Sequence, residues 1–497
     1  MRLNILFGGK AGQGTNEIAL LVGEILAEKG YYVFNYRDYG SLIRGGHNFN
    51  ILCISENPVQ SFDWKVDILL ALSDKIIELH EKDLKKGGRI IALKEDFGKS
   101  TNMAYAASLL CYLGIDKQEL IKKIKEKFDE KWWKEDIAAA EAGYCLKDRI
   151  KLEKPDGKKK ILITGGEAVA KSAKNSGLNF YFAYPMTPAT NVMNFLAGMS
   201  DSNMKFWQSG NEIEAVNAAI GASFAGKISM TGSSGGGFDL MTEALSFQGM
   251  SEIPLTVYLS SRPGPGTGVP TYSMQSDIKL ALYAGHGEFP RVVVMPGDVE
   301  ESVILTNQAM QLAEKFGCLS IIMSDKHLAE SEFTIEKLPE IKQINITRKI
   351  PGKQIVKASS YEHLENGDTT EEAGDTLIGM NKRLGKEKEI EKEVSKLETY
   401  KVYGFGSKLF ITSGSTKGAV LDYINQHGGK MLHLLYLSPF PNIETEMKKV
   451  KEVYVVECNS TGQLAELITA KTCMKVKKIL KYDGRPFTPD EIKEGVK

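Results

Sequence analysis

The residues with the most chemistry to offer lie between positions 180 and 270. Tyr184-Pro185-Met186-Thr187-Pro188 separates an apolar strand-like run from a helical one. Two prolines fix the backbone around Thr187. A rigid turn leaving the carboxyl end of a strand is where α/β sheets bind ligands. The same residues also read as a helix start, with Thr187 as N-cap and Pro188 at the first helical position. Glu212 precedes a run of small residues, AVNAAIGASFAG. A helix so built packs closely against a neighbour, and a carboxyl group there is buried and raised in pKa. An exposed first-turn acid, favoured by the helix dipole, is the plainer reading and the one the local sequence favours. Gly232-Ser233-Ser234-Gly235-Gly236-Gly237-Phe238 offers backbone N–H groups that no side chain obstructs. Arg262-Pro263-Gly264-Pro265-Gly266-Thr267-Gly268 sets one guanidinium on an irregular loop. Such a group suits a carboxylate or phosphate bidentately, although a lone arginine is more often a surface residue.

Near the N-terminus, Gly8-Gly9-Lys10-Ala11-Gly12-Gln13-Gly14-Thr15 precedes a helical pattern. Helix-start N–H groups hold phosphates. The loop lacks the lysine of a Walker motif, and Glu17 stands where a dinucleotide fingerprint has its third glycine. A bare strand-to-helix turn and a site for a nucleotide-like ligand, such as a coenzyme A phosphate, stay equally open. Arg44 and His47, in Ser41-Leu42-Ile43-Arg44-Gly45-Gly46-His47-Asn48, read as a solvated loop. Six cysteines lie at least 15 residues apart with no C-x-x-C. They read as isolated core thiols rather than cluster or zinc ligands.

The elements that must position these residues follow from periodicity. Apolar strand-like runs alternate with helical stretches in three segments, which argues for parallel α/β sheets. The expected domains are 1–155, 160–335 and 401–497, with 336–400 a charged, partly helical linker. The chain of 497 residues is 42% hydrophobic and 25% charged, with 63 basic and 63 acidic residues. That is globular composition with no global field for nucleic acid or an anionic membrane. No apolar run reaches a membrane span, and no basic leader region is visible, so a cytoplasmic protein is expected.

Taken together, the motifs resemble the alpha subunit of 2-oxoacid:ferredoxin (acceptor) oxidoreductases, in the form where gamma and alpha units are fused. The 2-oxoglutarate synthase alpha subunits are the most similar in appearance. GGKAGQG and SLIRGGHNF suggest the gamma unit. YPMTPAT, NEIEAVNAAIGASFAG, GSSGGGFDLMTEAL and SSRPGPGTGVPT suggest the alpha unit. SGSTKGAV, YLSPFP, VVECNSTGQLAELI and KYDGRPFTPDEI suggest the last domain. The resemblance implies a Rossmann-like gamma domain, a pyrimidine-type thiamine-diphosphate-binding domain and a transketolase C-terminal-like domain. It implies oxidative decarboxylation of a 2-oxoacid, 2-oxoglutarate in the first instance, to an acyl-coenzyme A and CO2 with reduction of ferredoxin. A separate beta subunit would hold the diphosphate with Mg2+ and a [4Fe-4S] cluster. This chain has no G-D-G metal motif, carries no metal site of its own and would be inactive alone. By the same resemblance, Glu212 meets the pyrimidine ring of thiamine beside Pro185, Ser234 and Gly235. Thr187 and Arg262 bind the oxoacid, with Thr267 and Tyr184 as further contacts. Gly12, Gly14 and Arg44 face coenzyme A. The chain departs from the family pattern at Met186, Ala189, Gly236, Asp239, Pro263 and Gly266, and the lost hydroxyls fit a less polar 2-oxoacid side chain. Two other functions fit the bare motifs. One is a subunit of a non-oxidative thiamine enzyme of decarboxylase or transketolase type. The other is a non-catalytic nucleotide- or acyl-binding subunit.

Overall fold

The computed structural model describes residues 1–40, 46–357 and 359–496. The chain divides into two compact units. Unit 1 comprises Met1–Ile163, Ser331–Lys337 and Thr488–Glu491; unit 2 takes the rest. The fold is mixed α/β with three sheets, and no described helix is long and apolar enough to cross a membrane.

Unit 1 is built on one seven-stranded sheet. Its strands run in the order Leu84–Ile91, Val66–Ala71, Arg2–Lys10, His47–Ser55, Tyr32–Tyr39, Glu332–Ile335 and Ile161–Thr164. The first three are parallel. His47–Ser55 is antiparallel to both Arg2–Lys10 and Tyr32–Tyr39, so the expectation of a wholly parallel sheet is corrected. Residues 40–46 are too few for the crossover that parallel neighbours need. Helix Thr15–Glu28 covers the sheet with Ile18, Leu21, Val22 and Ile25, all buried against Ile5 and Phe7. The strand Ile161–Thr164, which reads with the second segment in the sequence, joins this sheet instead.

Unit 2 carries two sheets. The larger runs Tyr436–Ser438, Arg291–Val294, Leu319–Asp325, Leu255–Ser261, Ser229–Ser233, Phe180–Ala183 and Lys205–Gln208. All but Tyr436–Ser438 are parallel. Leu255, Val257 and Leu259 are fully buried beneath Phe238, Met241 and Leu245 of helix Gly235–Ser251. Replacing one such leucine with alanine typically costs about 2–5 kcal/mol. The smaller sheet is Tyr400–Phe405, Gly429–Leu434, Lys408–Ser413, Glu452–Glu457 and Lys477–Leu480. The charged stretch before it is not all connector. Helix Ala373–Val394 buries Ile390 and Val394 in the core behind the larger sheet. Of the six cysteines, four are buried, while Cys145 and Cys473 are exposed, which corrects the reading of all six as core thiols.

Candidate functional site

Four neighbouring parallel strands of the larger sheet deliver the motifs to one edge. In sheet order they are Lys205–Gln208, Phe180–Ala183, Ser229–Ser233 and Leu255–Ser261. Their carboxyl ends lead into residues 209–212, 184–188, 234–237 and 262–268 respectively. Loops that leave adjacent parallel strands at one edge form the crevice where such folds bind ligands.

Glu212 opens helix Glu212–Phe224. The helix end is satisfied by its neighbours: Asn211 Oδ1 accepts from the Glu214 N–H at 2.9 Å, and Glu214 Oε2 accepts from the Gly210 N–H at 2.8 Å. That reciprocal cap leaves the Glu212 carboxylate free to turn inward. It is 3% exposed, and its Oε1 has no hydrogen-bond partner. The exposed first-turn acid favoured by the local sequence is therefore corrected. The reason is Gly237, where a Cβ would stand 2.5 Å from Glu212 Oε1 and would also strike Ser233 Oγ. Only glycine lets the carboxylate lie against that backbone.

The glycines after Ser234 are the first turn of a helix rather than a loop, since Gly235–Ser251 is helical from its first glycine. Ser234 Oγ is buried with no partner. The turn at 184–188 meets both neighbours. Ser233 Oγ donates to Met186 Sδ at 3.6 Å, and Arg262 Nη1 donates to the Thr187 carbonyl at 2.7 Å. Thr187 is not an N-cap, because the next helix begins at Thr190 with Ala189 in that position. Arg262 Nε is buried and unpaired. Burial pulls the guanidinium below its usual pKa, while the charges of Asp277 and Glu212 oppose the shift. Tyr184, Pro185 and Thr267 lie on the exposed side of these loops.

Thr187, Glu212, Ser234, Gly235 and Arg262 thus gather at one strand edge. Asp277, just ahead of helix Ile278–Tyr283, joins them and was not singled out in the sequence. A Cβ on Gly235 would lie 2.8 Å from Asp277 Oδ2, which is buried without a partner. Burial pushes this carboxyl up, and nearby Asp239 adds to the rise. Nothing local in the sequence marks the aspartate.

Gly12 and Gly14 lie in unit 1. They line a cleft of about 580 Å³ with Glu17, Lys94, Lys99 and Asn102. Glu17 accepts from Asn102 Nδ2, and burial pushes its carboxyl up. Arg44 lies outside the described residues.

Comparison with known proteins places this architecture. Residues 171–394 match the family model described as pyruvate flavodoxin/ferredoxin oxidoreductase, thiamine diphosphate-binding. Residues 4–99 match the model for pyruvate ferredoxin/flavodoxin oxidoreductase. The 2-oxoacid:ferredoxin oxidoreductase subunit alpha of Saccharolobus solfataricus is 29% identical, across 100% of this chain and 98% of that one. A 2-oxoglutarate synthase subunit of Archaeoglobus fulgidus is 31% identical, over 67% of this chain and 97% of its own length. Among solved structures, the 2-oxoglutarate:ferredoxin oxidoreductase of Magnetococcus marinus, with 2-oxoglutarate, coenzyme A and succinyl-CoA bound, superposes with a TM-score of 0.89. It is 27% identical, and the match covers 100% of both chains.

Proposed function

This chain belongs to the 2-oxoacid:ferredoxin oxidoreductase family as an alpha subunit, part of a thiamine-dependent enzyme complex, and on that premise we propose that Glu212, Arg262 and Thr187 carry its share of the chemistry. The observation behind the proposal is the buried Oε1 of Glu212, an acceptor with no partner. Such an atom fits a ring nitrogen that takes up a proton, as the pyrimidine of thiamine does. Ser234 Oγ, also buried and unpaired, and the glycines behind it supply the close backbone wall that a flat ring needs. Pro185, exposed in the adjoining 184–188 turn, is a further candidate contact.

Thiamine diphosphate, when bound, supplies the electron sink for breaking the bond to the carboxylate. Glu212 holds and returns a proton at the ring nitrogen, which is general acid–base work in a water-poor site. Arg262 pairs with the oxoacid carboxylate, and its anchor on the Thr187 carbonyl fixes the fork before substrate arrives. The Thr187 hydroxyl donates to the oxoacid, with Thr267 and Tyr184 at the rim. The names of the 2-oxoglutarate-specific relatives and of the solved neighbour favour 2-oxoglutarate as substrate.

The site needs a second subunit. Tyr184, Trp207, Ile213, Leu240 and Val269, each within five residues of a site residue, are 40–60% exposed. Exposed large side chains this close in sequence to a buried carboxylate suit a partner that closes over it. A beta subunit there would bring the diphosphate site with Mg2+ and the iron–sulfur cluster that passes electrons to ferredoxin, in a cytoplasmic complex. In unit 1, the cleft at Gly12 and Gly14 is the candidate site for coenzyme A. The deciding experiment assays the purified complex for coenzyme A- and thiamine-dependent reduction of methyl viologen. Glu212→Ala abolishes turnover while the subunits still assemble. Near-normal turnover of that variant removes Glu212 from the site.

A further inference from the structure

Unit 2 has a large cavity, of about 730 Å³, on residues the proposed reaction does not use. It lies between residues 348–357 and 362–367, the end of helix Gly235–Ser251 and the helix Ala373–Val394. Phe224, Ile253, Ile355, Val356 and Ile378 make its apolar wall. Lys357 stands among them, 8% exposed, with Nζ donating to the Met250 carbonyl.

Lys357 is a buried amine without a counter-ion. The carboxylates that face it already have partners: Glu362 is held by Arg383 at 2.5 Å, and Glu252 by Lys382 and Lys386 at 2.6 Å. Among the described residues no carboxylate forms an ion pair with Lys357. The other charged or titratable groups facing it are Arg383 and Lys382 from the helix and His363 beside Glu362. A buried ammonium with no counter-ion gives up its proton more readily than an exposed one. Burial, together with the Arg383 charge, outweighs Glu362 and Glu252 and brings this one down to about 8.

We propose that Lys357 is an acyl-acceptor site for thioesters, the product class of this family. The free amine attacks the thioester carbonyl carbon. The carbon–sulfur bond breaks, the thiol departs with the amine's proton, and an amide remains with its acyl chain against Ile253, Ile355 and Ile378. No electrons are exchanged, and no co-reactant is needed. The source of the thioester in the cell rests on the function proposed above, but the nucleophilic site does not.

The test supplies the thioester directly. The whole complex, without oxoacid, is incubated with acetyl-CoA between pH 6.5 and 9.5, and acetylation of each lysine is followed by peptide mass spectrometry. A fall in pKa from 10.5 to about 8 raises the free-amine fraction at pH 7 by about 300-fold. Lower basicity and restricted access take back part of that gain. The expected result is acetylation of Lys357 at least about tenfold faster than exposed Lys205, with a rate that levels off above pH 8. Lys357→Arg loses the signal. Labelling no faster than Lys205, or a rate that climbs in parallel with Lys205 beyond pH 9, overturns the proposal. Labelling by acetic anhydride but not by acetyl-CoA also overturns it, since the amine is then reactive but closed to the thioester.

Discussion

The glycine-rich turns that follow strand Arg2–Lys10 in unit 1 and strand Ser229–Ser233 in unit 2 differ in how their polar atoms are satisfied. At the unit 1 turn the polar side chains have partners within the chain. Gln13 Oε1 accepts from the Lys10 N–H at 2.7 Å, and Glu17 is held by Asn102. His47 Nε2 sits 2.6 Å from His80 Nε2, whose ring is held at Nδ1 by Asp83 at 2.8 Å. At the unit 2 turn the reverse holds. Glu212 Oε1, Ser234 Oγ, Arg262 Nε and Asp277 Oδ2 are buried without partners around Gly235–Gly237. Each buried polar group left unpaired costs about 1–3 kcal/mol. Four at one strand edge mark a surface completed by what binds there. Similar turn chemistry thus produces a self-contained cleft in one unit and an unfinished site in the other.

Substitutions separate the two. The largest effect is expected at Glu212, where Glu212→Gln keeps the shape but cannot exchange the proton. Turnover of the complex should fall about 100-fold or more, the usual contribution of a positioned acid–base group. Arg262→Ala should come next, with KM for the oxoacid raised and kcat/KM lowered about 10- to 100-fold, as for loss of a charge-assisted hydrogen bond. An unchanged KM and kcat/KM would remove Arg262 from substrate binding. Gly237→Ala should lower thermal stability by about 1–3 kcal/mol through overpacking and lower turnover with it, because the new methyl drives Glu212 from its place. Calorimetry and the viologen assay, run on the same preparation, read both losses.

The smallest change is expected in unit 1, at Glu17→Gln. The Glu17 carboxyl is raised by burial, so its protonated form is the one that favours the fold. That contribution is present below the unfolded pKa and is lost as pH rises through the folded one. The glutamine keeps the acceptor for Asn102 without the charge. Its melting temperature should exceed that of the parent at pH 7, and the difference should close below pH 4. A gain of the same size at both pH values would show that charge is not the cause.

Much of this was legible in the sequence, for physical reasons that differ by element. Alternating apolar runs and helical periods gave the α/β class and most strands of both units. The turn at 184–188 and the loop at 262–268 announced themselves by their prolines and glycines. Strand order did not. Lys205–Gln208, Phe180–Ala183, Ser229–Ser233 and Leu255–Ser261 are neighbours in that order, and long-range pairing of this kind leaves no local trace. It is what brings Glu212 to Gly237 and Arg262 to Thr187. For the same reason the antiparallel strand His47–Ser55 and the placing of Ile161–Thr164 in unit 1 were not readable from periodicity. The burial of Glu212 depends on a missing Cβ 25 residues away, and Asp277 is visible only once Gly235 is seen to stand against it.

The central claim is that the buried Glu212 carboxylate is an acceptor awaiting the thiamine ring. Isothermal titration of thiamine diphosphate with Mg2+ into the cofactor-depleted complex tests this directly, with the parent and Glu212→Ala compared. Tight, saturable binding is expected for the parent, and affinity at least about tenfold weaker for the variant, the loss of one charge-assisted hydrogen bond. Equal affinity of the two complexes, with equal turnover when the cofactor is restored, would contradict it.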